Sequence, residues 1–252
     1  MRLTKNGKNT KAKPSTGFVS KVSVGIDIGQ DAIRVVQVSG RSLNQVQLDK
    51  YSIVQIPKNV IKGTVIHDFD RLVASVQQAC SQINLNTRSV ISCVPQTLAT
   101  IDTVVYNEKD AGMDLVDFVE FEISQQLPLD EVNYDYSVLS GNSASKKILI
   151  AALRKEEVES RVELFDSSDL SLQFLDVDIL AQVNAFNFWI SKQSPELWPE
   201  KIMIVHISEN EMYSFVVQEG SILYKQVSSL GGEQLNQLIN ALIRLVRNKR
   251  KL

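Results

Sequence analysis

Asp27, Gly29, Gln30 and Arg34 fall within one short stretch, Val24–Val38, which reads VGIDIGQDAIRVVQV. An acid, a glycine and a guanidinium at this spacing suggest phosphate chemistry. The glycine lets the chain reverse and brings backbone N–H groups close to whatever sits above the turn. Arg34 can supply positive charge. Asp31 works the other way, because a second negative charge in the loop repels a polyphosphate unless a metal intervenes. Arg34 lies on the following strand and can equally face elsewhere. A plain β-hairpin over a buried sheet has the same pattern.

No other constellation in the chain points to catalysis. There is no Ser/His/Asp arrangement, no zinc spacing and no glycosidase pair with a supporting context. Asp130-Glu131 is an acidic pair, but adjacent residues on a strand face opposite ways, so it reads as surface charge. His67, in a loop, and His206, on a strand, read as structural residues. Cys80 and Cys93 have neither metal-ligand spacing nor a disulfide framework and read as small buried hydrophobes in a reducing compartment.

The elements that must position these residues follow from the apolar periodicity. Runs at 22–28, 32–39 and 45–54 predict a three-strand meander around the turn. Leu72, Val73, Val76, Ala79, Cys80 and Ile83 predict a helix over 69–83, capped by Asp68 or Asp70. Strands are expected at 88–94 and 98–106, a helix at 113–126 stopped by Pro128, and strands at 132–139 and 147–153. In the first of these last two, Val132, Tyr134, Tyr136 and Val138 share one face. A helix at 155–166, a strand at 172–177 and a helix at 179–190 capped by Asp178 follow. Pro57–Gly63 reads as a loop, and Gly141–Ser145 as a turn. Ser194–Pro199 reads as a hinge between lobes. Beyond it, strands at 202–207, 212–217 and 222–227 and a helix at 233–246 repeat the meander-then-helix order of the first lobe.

Composition places the chain among ordinary globular proteins: 252 residues, 44% hydrophobic and 22% charged. No apolar run approaches the roughly 20 residues that span a bilayer. The basic N-terminus lacks the apolar stretch of a secretory signal. The net charge of −2 hides a pattern, since residues 1–21 and 244–252 carry basic residues and no acid, leaving all 29 acids in the body. Residues 1–21 read as a disordered basic tail, and no nucleic-acid partner is expected.

With these features in place, the chain resembles a known family. The first meander is similar to the phosphate-1 hairpin of actin-like ATPases. Three further stretches, DFVEFEISQQLPLDEVNYDYSVL (117–139), LDVDILAQVNAF (175–186) and SLGGEQLNQLI (229–239), resemble PilM-type proteins of type IV pilus assembly, in the family order, over roughly residues 22–240. The resemblance implies an α/β, actin-like (RNase H-like) fold with mixed sheets. It would have a first lobe at 22–193, an inserted small subdomain at about 70–170, and a partial second lobe at 200–252. It also implies a cytoplasmic scaffold at the inner face of the inner membrane that binds the N-terminal tail of a PilN-like inner-membrane protein. Membrane contact would then be indirect, and the peptide groove is to be sought in residues 70–170. Extended-peptide capture is a common way for such a tail to be held.

The chain departs from the family pattern at each nucleotide element. After Asp27-Ile28-Gly29 the expected hydroxyl residues and lysine are replaced by Gln30-Asp31-Ala32-Ile33-Arg34. His206 stands where the second phosphate loop would carry an acid. The downstream adenosine-binding region is absent, since the chain ends one helix after Gly231-Gly232. The expectation is therefore a protein that is not an enzyme, with Asp27, Gly29, Gln30 and Arg34 as a degenerate phosphate loop. It would use no cofactor, or bind ATP and Mg weakly. The alternatives are an active nucleotide-binding ATPase, or a shortened relative in an adhesin-pilus or secretion system. A half lobe exposes apolar surface, which a partner or a second copy (a homo-oligomer) could cover. Leu242, Ile243, Leu245 and Val246 before Arg247, Lys249, Arg250 and Lys251 could alternatively form an amphipathic helix on an anionic membrane.

Overall fold

The computed structural model describes residues 22–42, 45–141 and 145–249, with side chains for all of these except 108, 110 and 244–249. The expected tail at 1–21 and the basic residues Arg250 and Lys251 lie outside the described residues.

The first unit is built on β1 (Val22–Ile28), β2 (Ala32–Ser39) and β3 (Gln47–Gln55), the expected meander. β1 pairs antiparallel with β2, with Asp27 opposite Arg34, and β2 pairs antiparallel with β3. A two-residue pair, β4 (Ile61–Lys62) and β5 (Val65–Ile66), occupies part of the stretch expected to be loop; strands this short leave no readable alternation. Helix α1 (Phe69–Ser81) follows, and its cap is Asp68, whose Oδ1 accepts from the Arg71 N–H at 3.1 Å. β6 (Ser89–Val94) then returns parallel to β1.

The chain next forms β7 (Ala99–Tyr106), a short helix α2 (Glu108–Ala111), α3 (Leu115–Ser124), β8 (Val132–Gly141) and β9 (Lys146–Arg154). These strands make a separate antiparallel sheet in the order β7-β9-β8. Its core sets Val119 and Ile123 of α3 against Ile148, Ile150 and Ala152 of β9. Tyr134 and Tyr136 of β8 pack on that core, as the alternation predicts, whereas Val138 is exposed. The Tyr134 hydroxyl donates to Glu120, and Asp114 caps α3 through the N–H groups of Val116 and Asp117. Asp130 and Glu131 lie in a single 3-10 turn, Leu129–Glu131, not on a strand.

Helix α4 (Lys155–Ser167) and β10 (Ser171–Val177) complete the first sheet, in the order β10-β6-β1-β2-β3. β1, β6 and β10 run parallel, so the sheet is mixed. Val24, Ile26, Ile33 and Val35 point to one face, where Leu72 and Val76 of α1 and Leu164 and Phe165 of α4 bury them. Because α1, β6 and α4 belong to this sheet, the inserted sheet spans only β7 to β9, less than the expected 70–170.

Two compact units divide between Ile179 and Leu180, in the first turn of α5 (Asp178–Gln193), and not at Ser194–Pro199. The reason is packing: most of α5 belongs to the second unit, where Val183 and Ile190 are buried and Gln182 donates to the Tyr213 hydroxyl. β11 (Ile202–Ile207), β12 (Met212–Gln218) and β13 (Ser221–Ser228) form the second meander, and α6 (Gly232–Lys249) follows. Among the described residues no helix is long and apolar enough to cross a membrane.

Candidate functional site

Parallel β1, β6 and β10 bring their carboxyl ends together, where open α/β sheets place ligand sites. β1 delivers Asp27, β6 delivers Cys93, and β10 and its junction with α5 deliver Asp176 and Asp178. Register explains part of this: Asp176 pairs with Cys93, and Val94 with Val177. Burial foremost, then the negative charges of Asp176, Asp27 and Asp178, pushes the Cys93 thiol up from 9.0 to about 12. Three carboxylates thus act on one point. Among the described residues no group of three or more His, Cys, Asp or Glu side chains is arranged to hold a metal ion.

Arg34 supplies the cation of this edge, and it faces the turn. Its Nη2 donates to both carboxylate oxygens of Asp31, at 3.0 and 2.8 Å, and its Nη1 donates to Asp27 at 3.2 Å. Burial of the guanidinium works to lower its pKa; the hydrogen bond and charge of Asp31, with those of Asp27, outweigh this and raise it. One guanidinium therefore bridges both acids of the hairpin.

Gly29 is small for a reason other than chain reversal. Its φ is not in the left-handed region. A Cβ there would fall 2.6 Å from Arg34 Nη1 and 2.9 Å from Asp31 Oδ1, so the glycine makes room for the ion pair. The Gly29 N–H donates to the Ala32 carbonyl at 3.0 Å, which closes the turn on itself. Gln30 is half-buried in the same turn. The structure thus brings together Asp27, Gly29, Gln30 and Arg34, with Asp31 between them.

The sequence marks Asp178 only as a helix cap, yet its Oδ1 accepts from the N–H groups of Gln96, at 2.9 Å, and of Ile179. It ties the end of β6 to the start of α5. An acid at a strand-to-helix junction, LDVDI, was the available signal. Cys93 gave none.

In the second unit, the turn that follows β11 does a structural task. His206 stacks on Tyr213, with ring centroids 4.5 Å apart. The carbonyls of Ser208 and Glu209 accept from the N–H groups of Gly232, at 2.7 Å, and Glu233, at 2.8 Å. These are first-turn donors of α6, the groups a helix would otherwise offer to an anion. Gly231 permits the contact, since a Cβ would meet the Glu209 carbonyl and fall 2.5 Å from backbone atoms of Asn210 and Glu211.

The family described as type IV pilus assembly protein PilM matches residues 25–247. A solved PilM-PilN type IV pilus biogenesis complex contains a chain of similar structure. Its TM-score is 0.72 at 18% identity, over 85% of this chain and 63% of that one. The ethanolamine utilization protein EutJ from Carboxydothermus hydrogenoformans is similar at a TM-score of 0.50 and 13% identity, over 88% of this chain and 57% of that one. The chain thus spans under two thirds of the length of either structure. The mixed five-stranded sheet, the inserted antiparallel sheet and the second meander together make an actin-like fold.

Proposed function

Because the chain belongs to the PilM family of type IV pilus assembly proteins, we propose that it is a pilus-assembly scaffold that holds the cytoplasmic N-terminal tail of a PilN-like inner-membrane protein and hydrolyses no ATP. The observation that carries the reading is the family match along 25–247. The likeness to a chain of a solved PilM-PilN complex supports the choice of partner. The protein would sit in the cytoplasm at the inner membrane and reach it through that partner. The inserted sheet offers two open edges, β7 and β8, of the kind to which an extended peptide can add.

Two features support the loss of hydrolysis. Arg34 is committed to Asp27 and Asp31, and the Gly29 N–H to Ala32, so these two donors of the hairpin are engaged within the turn itself. The first N–H groups of α6 are likewise engaged by Ser208 and Glu209. Asp27, Gly29, Gln30 and Arg34 are thus the remnant of a phosphate loop, which a nucleotide polyphosphate fits poorly.

The second reading is an ATP-binding protein. It rests on the Asp27 side chain, which stays 58% exposed at the carboxyl edge of the sheet. Thermal denaturation with and without Mg-ATP separates the two. The scaffold reading predicts an unchanged Tm, whereas a ligand that binds the folded state at 100 times its Kd adds about 2.7 kcal/mol of stability.

A further inference from the structure

Charge is unevenly placed on the first unit. Residues 1–21, outside the described residues, carry Arg2, Lys5, Lys8, Lys11, Lys13 and Lys21 and no acid. They join β1 at Val22, and so meet the first sheet at its amino edge. The loops along that edge are close to neutral: Arg41, Lys50 and Arg88 offset Asp49, Asp166 and Asp169. Most of these charges are tied down locally. Lys50 Nζ donates to the Asn84 carbonyl and to Asn86 Oδ1, at 2.6 and 2.9 Å. Ser39 donates to Asp49 at 2.8 Å, and Arg88 lies 3.6 Å from Asp169. No excess of acid stands beside the basic segment.

The acids gather at the opposite edge. β6 runs parallel to β1, so the inserted sheet leaves from the carboxyl edge and returns to it. Residues 99–154, which hold that sheet with α2 and α3, carry ten acids against four basic residues. Asp27, Asp176 and Asp178 lie at the same edge. The first unit is therefore electrically polar along β1, with the basic segment joined at one end and the acids collected at the other. Such a distribution orients a protein on a charged surface.

We propose that residues 1–21 bind the anionic headgroups of a lipid surface, with the amino edge of the first sheet turned to the membrane and the inserted sheet turned away from it. This rests on the reading that the protein works at the inner face of a membrane, where anionic lipid gives the surface a negative potential. It adds a direct contact to the one made through the partner. Five of the six basic residues are lysines, and from Lys5 to Lys13 they recur every two or three residues. Lysine is a point charge and suits a diffuse negative surface, whereas bidentate recognition of a single phosphate favours arginine. Binding of single-stranded nucleic acid calls for aromatic side chains that stack on bases, and Phe18 is the one aromatic residue of the segment. A polybasic segment anchors firmly only beside a second membrane signal, which the PilN-like partner supplies.

Co-sedimentation of the 252-residue chain with vesicles, without any partner peptide, tests the proposal. Binding is expected to vesicles of equal parts phosphatidylcholine and phosphatidylserine, to fall away at high salt, and to be absent on phosphatidylcholine alone. Each lysine removed should weaken it about fivefold, and Lys8→Ala, Lys11→Ala and Lys13→Ala together about a hundredfold. Circular dichroism shows whether the triple variant is folded. Orientation is read with a fluorophore at Gln82→Cys, on the amino edge, or at Ser137→Cys, on β8. A quencher carried on the lipid headgroups should dim the first and not the second. The native thiols take little label, burial having pushed Cys80 up to about 11 and Cys93 to about 12. Absence of wild-type binding overturns the proposal, as does binding that the triple variant retains, equal binding to phosphatidylcholine alone, or equal quenching at the two positions. Tighter binding to a DNA duplex than to the anionic vesicles at the same salt overturns it in favour of a nucleic-acid partner. None of these outcomes bears on capture of the partner's tail, which calorimetry with the peptide reads separately.

Discussion

Arg34 and Asp31 form a two-bond ion pair across the β1–β2 turn, Nη2 lying 3.0 and 2.8 Å from the two carboxylate oxygens. With the 3.2 Å bond to Asp27, a single side chain neutralises both acids of the loop. Removing it leaves two carboxylates facing each other without a counter-charge. Because these groups are partly exposed, solvent screens the loss. Arg34→Ala is expected to cost about 1 kcal/mol and lower Tm by about 2–4 °C, read by thermal denaturation at low salt. The difference should shrink at high salt.

Gly29 and Arg34 should be energetically coupled. Gly29→Ala places a methyl where Arg34 Nη1 and Asp31 Oδ1 now sit, so the guanidinium must move and the pair weakens. In the native background the substitution is expected to destabilise by about 1 kcal/mol. In an Arg34→Ala background the obstacle is gone, and the lower unfolded-state entropy of alanine makes the change neutral or stabilising. A double-mutant cycle in urea checks this; additive effects would contradict the contact.

Gly231 meets backbone instead of a flexible side chain, so it has no such relief. Gly231→Ala must separate the start of α6 from the Ser208–Glu211 turn, breaking the Gly232 and Glu233 bonds. A loss of about 2 kcal/mol or more is expected, confined to the second unit. Hydrogen exchange should accelerate at the α6 amides and the β11–β12 turn, leaving β1 and β6 unchanged.

The alkaline limb of stability should carry the signature of Cys93. Its thiol titrates near 9.0 when unfolded and near 12 when folded. A raised acid pKa means that the unfolded chain releases its proton first as pH rises. The contribution is whole below pH 9 and is lost progressively between pH 9 and 12. Cys80, raised to about 11, adds a smaller loss over the lower part of the same window. Cys93→Ala is expected to flatten the fall of Tm between pH 9 and 11, and a thiol reagent at pH 8 should label native Cys93 far more slowly than the unfolded chain.

Much of the scaffold was legible because burial on one face leaves a period-2 or 3.6 signature. β1, β2, α1 and β8 come within a few residues of expectation for that reason. The site was legible as a stretch but not as a geometry. Alternation places Asp27 and Arg34 on strands; it does not reveal that they share a register pair or that the guanidinium reaches back to Asp31. Asp176, Asp178 and Cys93 were invisible as a group, since nothing local encodes the parallel pairing of β6 with β1 and β10. The boundary was expected at Ser194–Pro199 because prolines announce a turn, whereas the units divide at Leu180, with Val183 and Ile190 buried in the second unit. Gly29 reads as a turn residue and Gly231 as the opening of the last helix, and both are glycines of close approach.

The central claim is that the protein captures a peptide without needing a nucleotide. Calorimetric titration with a synthetic peptide of the cytoplasmic N-terminal tail of the PilN-like partner, with and without Mg-ATP, tests it most directly. Saturable binding with the same Kd under both conditions is the predicted result. Binding only in the presence of Mg-ATP would contradict it, and would mean that the Arg34 bridge opens to admit a phosphate. No binding under either condition would contradict the assignment of the partner itself.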